Sequence, residues 1–203
     1  MNEKEISTKQ KIIAIAIHLF KDEGYDAITI QDICDASGIS KHTFYYHFDS
    51  KDKILHEFVK IPYDIRPDIM REILMKESPL EKYFTLLNPR MHYLEKLGGE
   101  ILKQIIFFGF QKSEGEFQHN GSIHPMMEVE CQLIKQAQEC GEIRNRSSAQ
   151  ELSKMAIMIT ISTILRWALE PPQKPLKDFV YKNLFTLFDI EENMRKKLIE
   201  IVD

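Results

Sequence analysis

Residues 38–51, GISKHTFYYHFDSK, hold the side chains best suited to chemistry in this chain of 203 residues. The segment contains two histidines, two adjacent tyrosines and two lysines. Imidazole, phenol and ammonium groups form hydrogen bonds, and the rings offer planar faces, but they do not pair a nucleophile with a base. The segment therefore suits a surface that contacts another molecule better than a site that reacts with one.

A short helix must position these groups. Ser40 fits its N-cap, because a serine hydroxyl accepts from a backbone N–H left unpaired at a helix start. At about 100° per residue, the side chains then divide between two opposite arcs. One arc, predicted to face solvent, carries Lys41, His42, Tyr45 and Tyr46, and the other, facing a core, carries Thr43, Phe44, His47 and Phe48.

Two further helices precede this one. Residues 8–22 form a helix that ends at Gly24. Thr29 with Asp32 three positions later is a capping-box pattern for a second helix, which Gly38 stops. Two short helices joined by such a tight turn are typical of a helix-turn-helix. The apolar stripe of the first helix consists of Ile12, Ile13, Ala16, Ile17 and Phe20.

The rest of the chain also follows helical periodicity, so the predicted fold class is all-α. A fourth helix begins near Ser50 and leads into a proline-bearing segment, where we place a domain boundary. We predict a three-helix helix-turn-helix domain over residues 1–60 and a larger helical domain over residues 61–203.

Composition excludes several classes of protein. The three cysteines form no CxxC pair and no zinc-ligand spacing, so we expect neither a disulfide framework nor a metal site, and a reducing, cytoplasmic setting fits. The longest uncharged apolar run, residues 155–165, is shorter than the roughly 20 residues that a membrane helix needs, and no signal peptide is apparent at the N-terminus. No cofactor-binding loop occurs, so we expect no cofactor.

Net charge alone does not predict a nucleic-acid-binding protein. The formal charge is −4, and eight lysines against ten acidic residues give −2 over residues 1–60. The segment that carries the histidines and tyrosines is locally positive, however, because Lys41, Lys51 and Lys53 oppose only Asp49 and Asp52. A bound phosphate responds most to charges within about 8–10 Å.

The ordered string GYDAITIQDICDASGISKHTFYYHFDSKDKIL resembles the N-terminal DNA-binding domain of the tetracycline-repressor (TetR) family of bacterial transcriptional regulators. The resemblance covers roughly residues 8–56, and TFYYHFxSK is its most specific part. It implies that Lys41, His42, Thr43 and Tyr45 contact base edges or the adjoining backbone of double-stranded DNA. It further implies phosphate or positioning contacts for Tyr46, His47 and Lys51, and a DNA contact for Gln31.

The resemblance also implies a second domain that binds a small-molecule effector and forms a homodimer. We expect a cavity lined by some of the bulky, adaptable side chains, with Met91, Phe107, Phe110, Met158 and Trp167 as candidates. The segment MAIMITISTILRWAL is apolar nearly all round and needs partners on both sides. In the family, the last two long helices pair with those of a second subunit, and such a dimer reads a near-palindromic operator.

Two other functions stay open. An all-α enzyme could use His42, Tyr45 or His47 as acid and base, although the chain offers no nucleophile with a base, paired-carboxylate motif or cofactor loop. Alternatively, a DNA-binding protein could recruit a protein partner through its second domain and bind no ligand. A cavity, or a change in melting temperature with added compounds, separates this last possibility from a ligand-responsive repressor.

Overall fold

The computed structural model describes residues 7–60, 67–111, 127–170 and 174–202. All regular elements in these ranges are helices, which confirms the all-α prediction. They are α1 (Thr8–Glu23), α2 (Ile30–Ser37), α3 (Lys41–His47), α4 (Lys51–Lys60), α5 (Pro67–Met75), α6 (Pro79–Leu97), α7 (Gly99–Gln111), α8 (Met127–Glu139), α9 (Ala149–Leu169), α10 (Leu176–Phe188) and α11 (Glu192–Val202).

The chain divides into two compact units. The first comprises Met1–Ile61 with Leu97–Glu114, and the second comprises Pro62–Lys96 with Gly115–Asp203. The first unit therefore contains α7 in addition to the four N-terminal helices. The predicted domain ranges, 1–60 and 61–203, remain a prediction about which segments form independent domains.

Helix caps fix the start of the first three helices. Ser7 and Thr29 each form a complete capping box, in which the side chain accepts from a backbone N–H three residues on. The Ser40 hydroxyl accepts from the backbone N–H of Thr43 at 3.1 Å. Gly38 ends α2 with a φ of 66°, a left-handed conformation that glycine adopts without steric cost.

The core of the first unit consists of apolar side chains from all four N-terminal helices. The predicted stripe on α1 is buried along its whole length, and α2 adds Ile33 and Cys34. Phe44 from α3 and Ile54 from α4 are fully buried between them. Burial of such side chains stabilises the unit by about 1.5–3 kcal/mol each.

The second unit is organised around an aromatic cluster. The Phe84 ring on α6 lies 4.9 Å from the Tyr181 ring and 5.3 Å from the Phe185 ring on α10. Tyr83 packs edge-on against Phe188 at 5.5 Å. Such offset and edge-to-face contacts are the favoured arrangements for aromatic rings, so they tie α6 to α10.

Helix α9 is long and apolar enough to cross a membrane by length and composition, and it is the one such helix in the ranges that the structure describes. In its most apolar window 44% of the residues are buried inside the protein. The helix also carries Glu151, Lys154 and Arg166.

Candidate nucleic-acid interface

Helix α3 is held by its two phenylalanines, which leaves its opposite side open. Phe44 is 0% exposed and Phe48 is 2% exposed, and their rings lie 5.8 Å apart. The backbone N–H of Phe48 donates to the Phe44 carbonyl and closes the last turn. A helix this short depends on such anchoring, because isolated helices below about 12–15 residues are marginal in water.

The solvent side of α3 carries the groups that the sequence placed there. Lys41, His42, Tyr45 and Tyr46 are all exposed. Tyr46 is 81% exposed and Tyr45 is 53% exposed, values high enough to leave both hydroxyls accessible to a partner. This face can donate and accept hydrogen bonds, and it presents one cation at the first residue of the helix.

Thr43 and His47 occupy the margins of that face, since both are half-buried. The Thr43 hydroxyl lies 3.0 Å from that of Ser40, so it takes part in the cap of α3. The His47 ring lies 5.0 Å from the Tyr46 ring and 6.4 Å from the Phe48 ring. Their contacts with DNA stay predictions.

Gln31 is exposed on α2, but its side chain already has a partner. The amide nitrogen donates to an Asp35 carboxylate oxygen at 2.7 Å, one helical turn later. A DNA contact by Gln31 would have to form beside this carboxylate or replace the hydrogen bond. The predicted contact remains untested.

Lys51 lies at the first turn of α4, and its predicted phosphate or positioning contact with DNA stays a prediction. The side chain is half-buried, and its ammonium points at the connection between α1 and α2. The ammonium donates to the carbonyls of Tyr25 at 2.6 Å and Ile28 at 2.8 Å. These two carbonyls occupy two of the three N–H donors of the Lys51 ammonium, so they compete with any phosphate for that ammonium.

Tyr25 and Asp52 complete this connection, and no local sequence pattern singled them out. The Tyr25 hydroxyl donates to the Asp52 carboxylate, and the Lys51 ammonium lies 4.1 Å from the centre of the Tyr25 ring. Burial, together with the hydrogen bond to Asp52, raises the pKa of Tyr25 well above its ordinary value. Tyr25 therefore stays protonated near neutral pH and can donate to Asp52.

A cavity of about 280 Å³ lies beside the same connection, within the first unit. Its walls come from residues 20 and 23–27 and from residues 100, 101 and 104 of α7. Among the candidate ligand residues whose side chains the structure describes, Met91, Phe107, Met158 and Trp167, none lines it. No cluster of His, Cys, Asp or Glu in the described ranges could hold a metal ion.

The five candidate ligand residues are found in different settings. Met91 and Trp167 are buried in the second unit, where the indole N–H of Trp167 donates to the Lys174 carbonyl at 3.1 Å. Met158 is 69% exposed on α9, and Phe107 is 51% exposed on α7, in the first unit. The side chain of Phe110 lies outside the described residues. A shared ligand site for these residues therefore stays a prediction.

Comparison with known proteins supplies a family for this helix-turn-helix. Residues 12–58 match the family model described as "Bacterial regulatory proteins, tetR family". A full-length relative is the biofilm operon icaADBC HTH-type negative transcriptional regulator IcaR of Staphylococcus aureus (strain Newman). It is 27% identical over 185 residues, which cover 87% of this chain and 96% of the relative.

Solved structures show that the fold is shared over nearly the whole chain. FadR of Thermus thermophilus, a TetR-family transcriptional repressor solved with lauroyl-CoA, superposes with a TM-score of 0.65 at 20% identity, covering 88% of this chain and 92% of its own. The fatty acid degradation regulator FadR of Bacillus halodurans superposes with a TM-score of 0.68 at 17% identity, covering 92% and 97%. At these identities the likeness concerns the fold alone.

Proposed function

We propose that the chain is a TetR-family bacterial transcriptional regulator, and that it is a cytoplasmic, homodimeric repressor released from DNA by a small molecule. The proposal starts from the match of residues 12–58 to the family model and from the similarity to IcaR over most of the chain. Its matched relative IcaR is a negative transcriptional regulator. The proposed sign of regulation follows that relative, and the proposed chemistry is binding rather than catalysis.

The observation that carries the DNA-binding proposal is the exposed face of α3. A major groove admits one helix, and the N-terminal residues of that helix reach the base edges. Lys41 and His42 occupy those positions and are exposed, and lysine suits the O6 and N7 acceptors of guanine. Tyr45 lies one turn further on, with its hydroxyl able to reach a base edge or the adjoining backbone.

A second copy of the chain is proposed as the partner of α9 and α10. Met155 and Met158 on α9 are 49% and 69% exposed, and Phe179 on α10 is 40% exposed. An apolar surface of this kind on two neighbouring helices suits an isologous interface. Two recognition helices could then enter successive major grooves about 34–36 Å apart and read a near-palindromic operator.

An effector must bind the DNA-competent and DNA-incompetent states unequally, because equal affinity shifts no population. Moving the population from 1:99 to 99:1 takes about a 10⁴-fold preference for one state. Lauroyl-CoA is a reasonable first compound because the similar Thermus thermophilus protein was solved with it. For this chain we propose that a small molecule binds in the second unit. A compound screen would identify the chemical class of that molecule.

Fluorescence anisotropy with DNA from upstream of the chain's own gene, against scrambled DNA of the same length, tests the proposal. We expect preferential binding to the upstream DNA, loss of the preference in Tyr45→Ala, and release by a compound that also raises the melting temperature. If neither upstream DNA nor genomic fragments bind preferentially, the repressor proposal is wrong. Specific DNA binding without any stabilising compound would favour a second domain that recruits a protein.

A further inference from the structure

Lys51 joins the two ends of the helix-turn-helix. The segment from α2 to the end of α3 begins after Ile28 and ends at His47, four residues before Lys51. The Lys51 ammonium donates back to the Ile28 carbonyl at 2.8 Å across 23 positions of sequence. The hydrogen bond therefore closes a loop that contains both helices and the turn between them.

The same ammonium also holds the start of the connection between α1 and α2. It donates to the Tyr25 carbonyl at 2.6 Å and lies 4.1 Å from the centre of the Tyr25 ring. A cation over an aromatic face is attracted by the ring quadrupole. One side chain from the first turn of α4 thus bridges two carbonyls that belong to one short connection.

Asp52 holds that connection at a second point. Its carboxylate accepts from the Tyr25 hydroxyl, and the Tyr25 ring packs edge-on against Phe20 of α1 at 4.9 Å. Two adjacent residues at the start of α4 therefore hold Tyr25 at both ends. Lys51 contacts its backbone carbonyl and its ring, and Asp52 accepts a hydrogen bond from its hydroxyl. The start of α2 cannot move relative to the start of α4 without breaking these contacts.

We infer that Lys51 is a positioning residue, which closes the helix-turn-helix and sets the orientation in which α3 meets DNA, and that it does not act as a phosphate contact. The inference rests on the proposed DNA-binding function. Because α2 and α4 flank α3 with only a short connection on each side, fixing their starts relative to each other restricts the tilt of α3. Loss of the restriction should weaken sequence-specific binding and leave non-specific attraction to phosphates unchanged.

Salt dependence distinguishes positioning from phosphate contact. A lysine that neutralises one phosphate contributes about one unit to the slope of log affinity against log salt and supports all sequences alike. A positioning lysine contributes little to that slope and supports only the specific complex. The Lys51→Arg variant adds a third criterion. A guanidinium binds a phosphate well, but its planar geometry does not reproduce an ammonium that donates to two carbonyls.

The test uses the full-length chain and a duplex that the wild-type protein selects from a random-sequence pool, with a scrambled duplex as reference. Lys51→Met and Lys51→Arg are each expected to lose about tenfold or more in affinity for the selected duplex, with less than about a twofold change for the scrambled one. The salt slope should stay within about half a unit of wild type. Lys41→Met, at a proposed base contact on the exposed face of α3, should lose affinity for the selected duplex, and Lys135→Met on α8 should change nothing.

Tyr25→Phe provides a milder variant that keeps Lys51 and removes only the hydroxyl that binds Asp52. We expect a smaller loss of affinity for the selected duplex with an unchanged salt slope. If Lys51→Arg binds both duplexes as tightly as wild type, or if Lys51→Met flattens the slope by about one unit and weakens both duplexes equally, the inference is wrong. If the wild-type protein selects no sequence at all, the proposed function itself fails, and the inference falls with it.

Discussion

Phe44 and Tyr45 are neighbours in sequence whose side chains serve opposite purposes on α3. Phe44 is 0% exposed and contacts Phe48, whereas Tyr45 is 53% exposed. Phe44→Leu should therefore lower the free energy of unfolding by about 1–2 kcal/mol, because it removes buried contact area from a packed core. Tyr45→Leu should change stability by less than about 0.5 kcal/mol yet reduce affinity for the selected duplex.

Thermal unfolding and fluorescence anisotropy, measured on both variants, separate these two effects. Phe44→Leu should retain most of its DNA affinity at 25 °C, where the folded fraction is still close to one. A Tyr45→Leu protein with wild-type DNA affinity would remove Tyr45 from the proposed interface. A Tyr45→Leu protein with a strongly lowered melting temperature would place the residue in the core instead.

Glu130 on α8 is an acidic side chain inside the second unit, only 4% exposed. Burial raises its pKa, and the Arg90 guanidinium, 3.6 Å away, lowers it by less. A carboxyl with a raised pKa in the folded state binds a proton more tightly there than in the unfolded chain. Its favourable contribution is therefore fully present below the ordinary glutamate pKa and is lost as the pH rises through the raised value.

Glutamine imitates the protonated carboxyl, so Glu130→Gln should remove this pH dependence. We expect the variant to melt above wild type near pH 7.5 and at nearly the same temperature as wild type near pH 4. Differential scanning calorimetry at both pH values measures the difference, and groups that titrate in both proteins cancel. A variant that is less stable than wild type near pH 7.5 would show that the charged pair with Arg90 is favourable.

At the scale of the element, the turn between α2 and α3 depends on one backbone conformation. Gly38 has a φ of 66°, and a Cβ added there would meet nothing within 4 Å, so the cost of a side chain is conformational and not a clash. Gly38→Ala should destabilise the protein by about 1 kcal/mol, and Gly38→Asn by less, because asparagine tolerates the left-handed region better. Equal melting temperatures for these two variants would contradict this explanation.

The helices of the first unit were largely predictable because their signals are local. The capping box at Thr29, the N-cap at Ser40 and the glycine at position 38 each act within about four residues, and the structure contains all three. The division of α3 into a buried and an exposed arc follows from helical geometry alone. Local signals of this kind fix where an element begins, where it ends and which face is buried.

The contacts of Lys51 could not be predicted in the same way, because its partners are distant in sequence. The carbonyls of Tyr25 and Ile28 lie 26 and 23 positions earlier, and backbone carbonyls leave no trace in residue type. The assignment of Leu97–Glu114 to the first unit could not be predicted for the same reason, because it depends on packing between segments far apart in the chain. Long-range polar contacts and tertiary packing therefore mark the limit of what the sequence predicted.

At the scale of the whole molecule, DNA affinity should depend on whether two copies of the chain are joined in a dimer. One α3 contacts one half-site, and a dimer gains the second half-site at a high effective concentration. The exposed apolar residues of α9 and α10 are the surface proposed for this joining. Separating the copies should therefore weaken DNA binding without touching the first unit.

Met155→Glu combined with Met158→Glu tests this dependence. Each copy would place two charged side chains in the proposed interface, and burying unpaired carboxylates opposes association. We expect the dissociation constant of the dimer to rise by about a hundredfold or more, equivalent to about 2.7 kcal/mol. Analytical ultracentrifugation over a range of concentrations measures the change, and affinity for a full palindromic duplex should fall while affinity for a single half-site stays near that of wild type.

Met127→Glu is the matched control, because Met127 is also an exposed methionine, at 44%, but belongs to α8. It should leave both the oligomeric state and DNA binding unchanged. A double variant on α9 that remains dimeric at low concentration would place the interface elsewhere. A double variant that becomes monomeric yet binds the palindrome as tightly as wild type would show that the two half-sites are read independently, and the dimer would then contribute nothing to recognition.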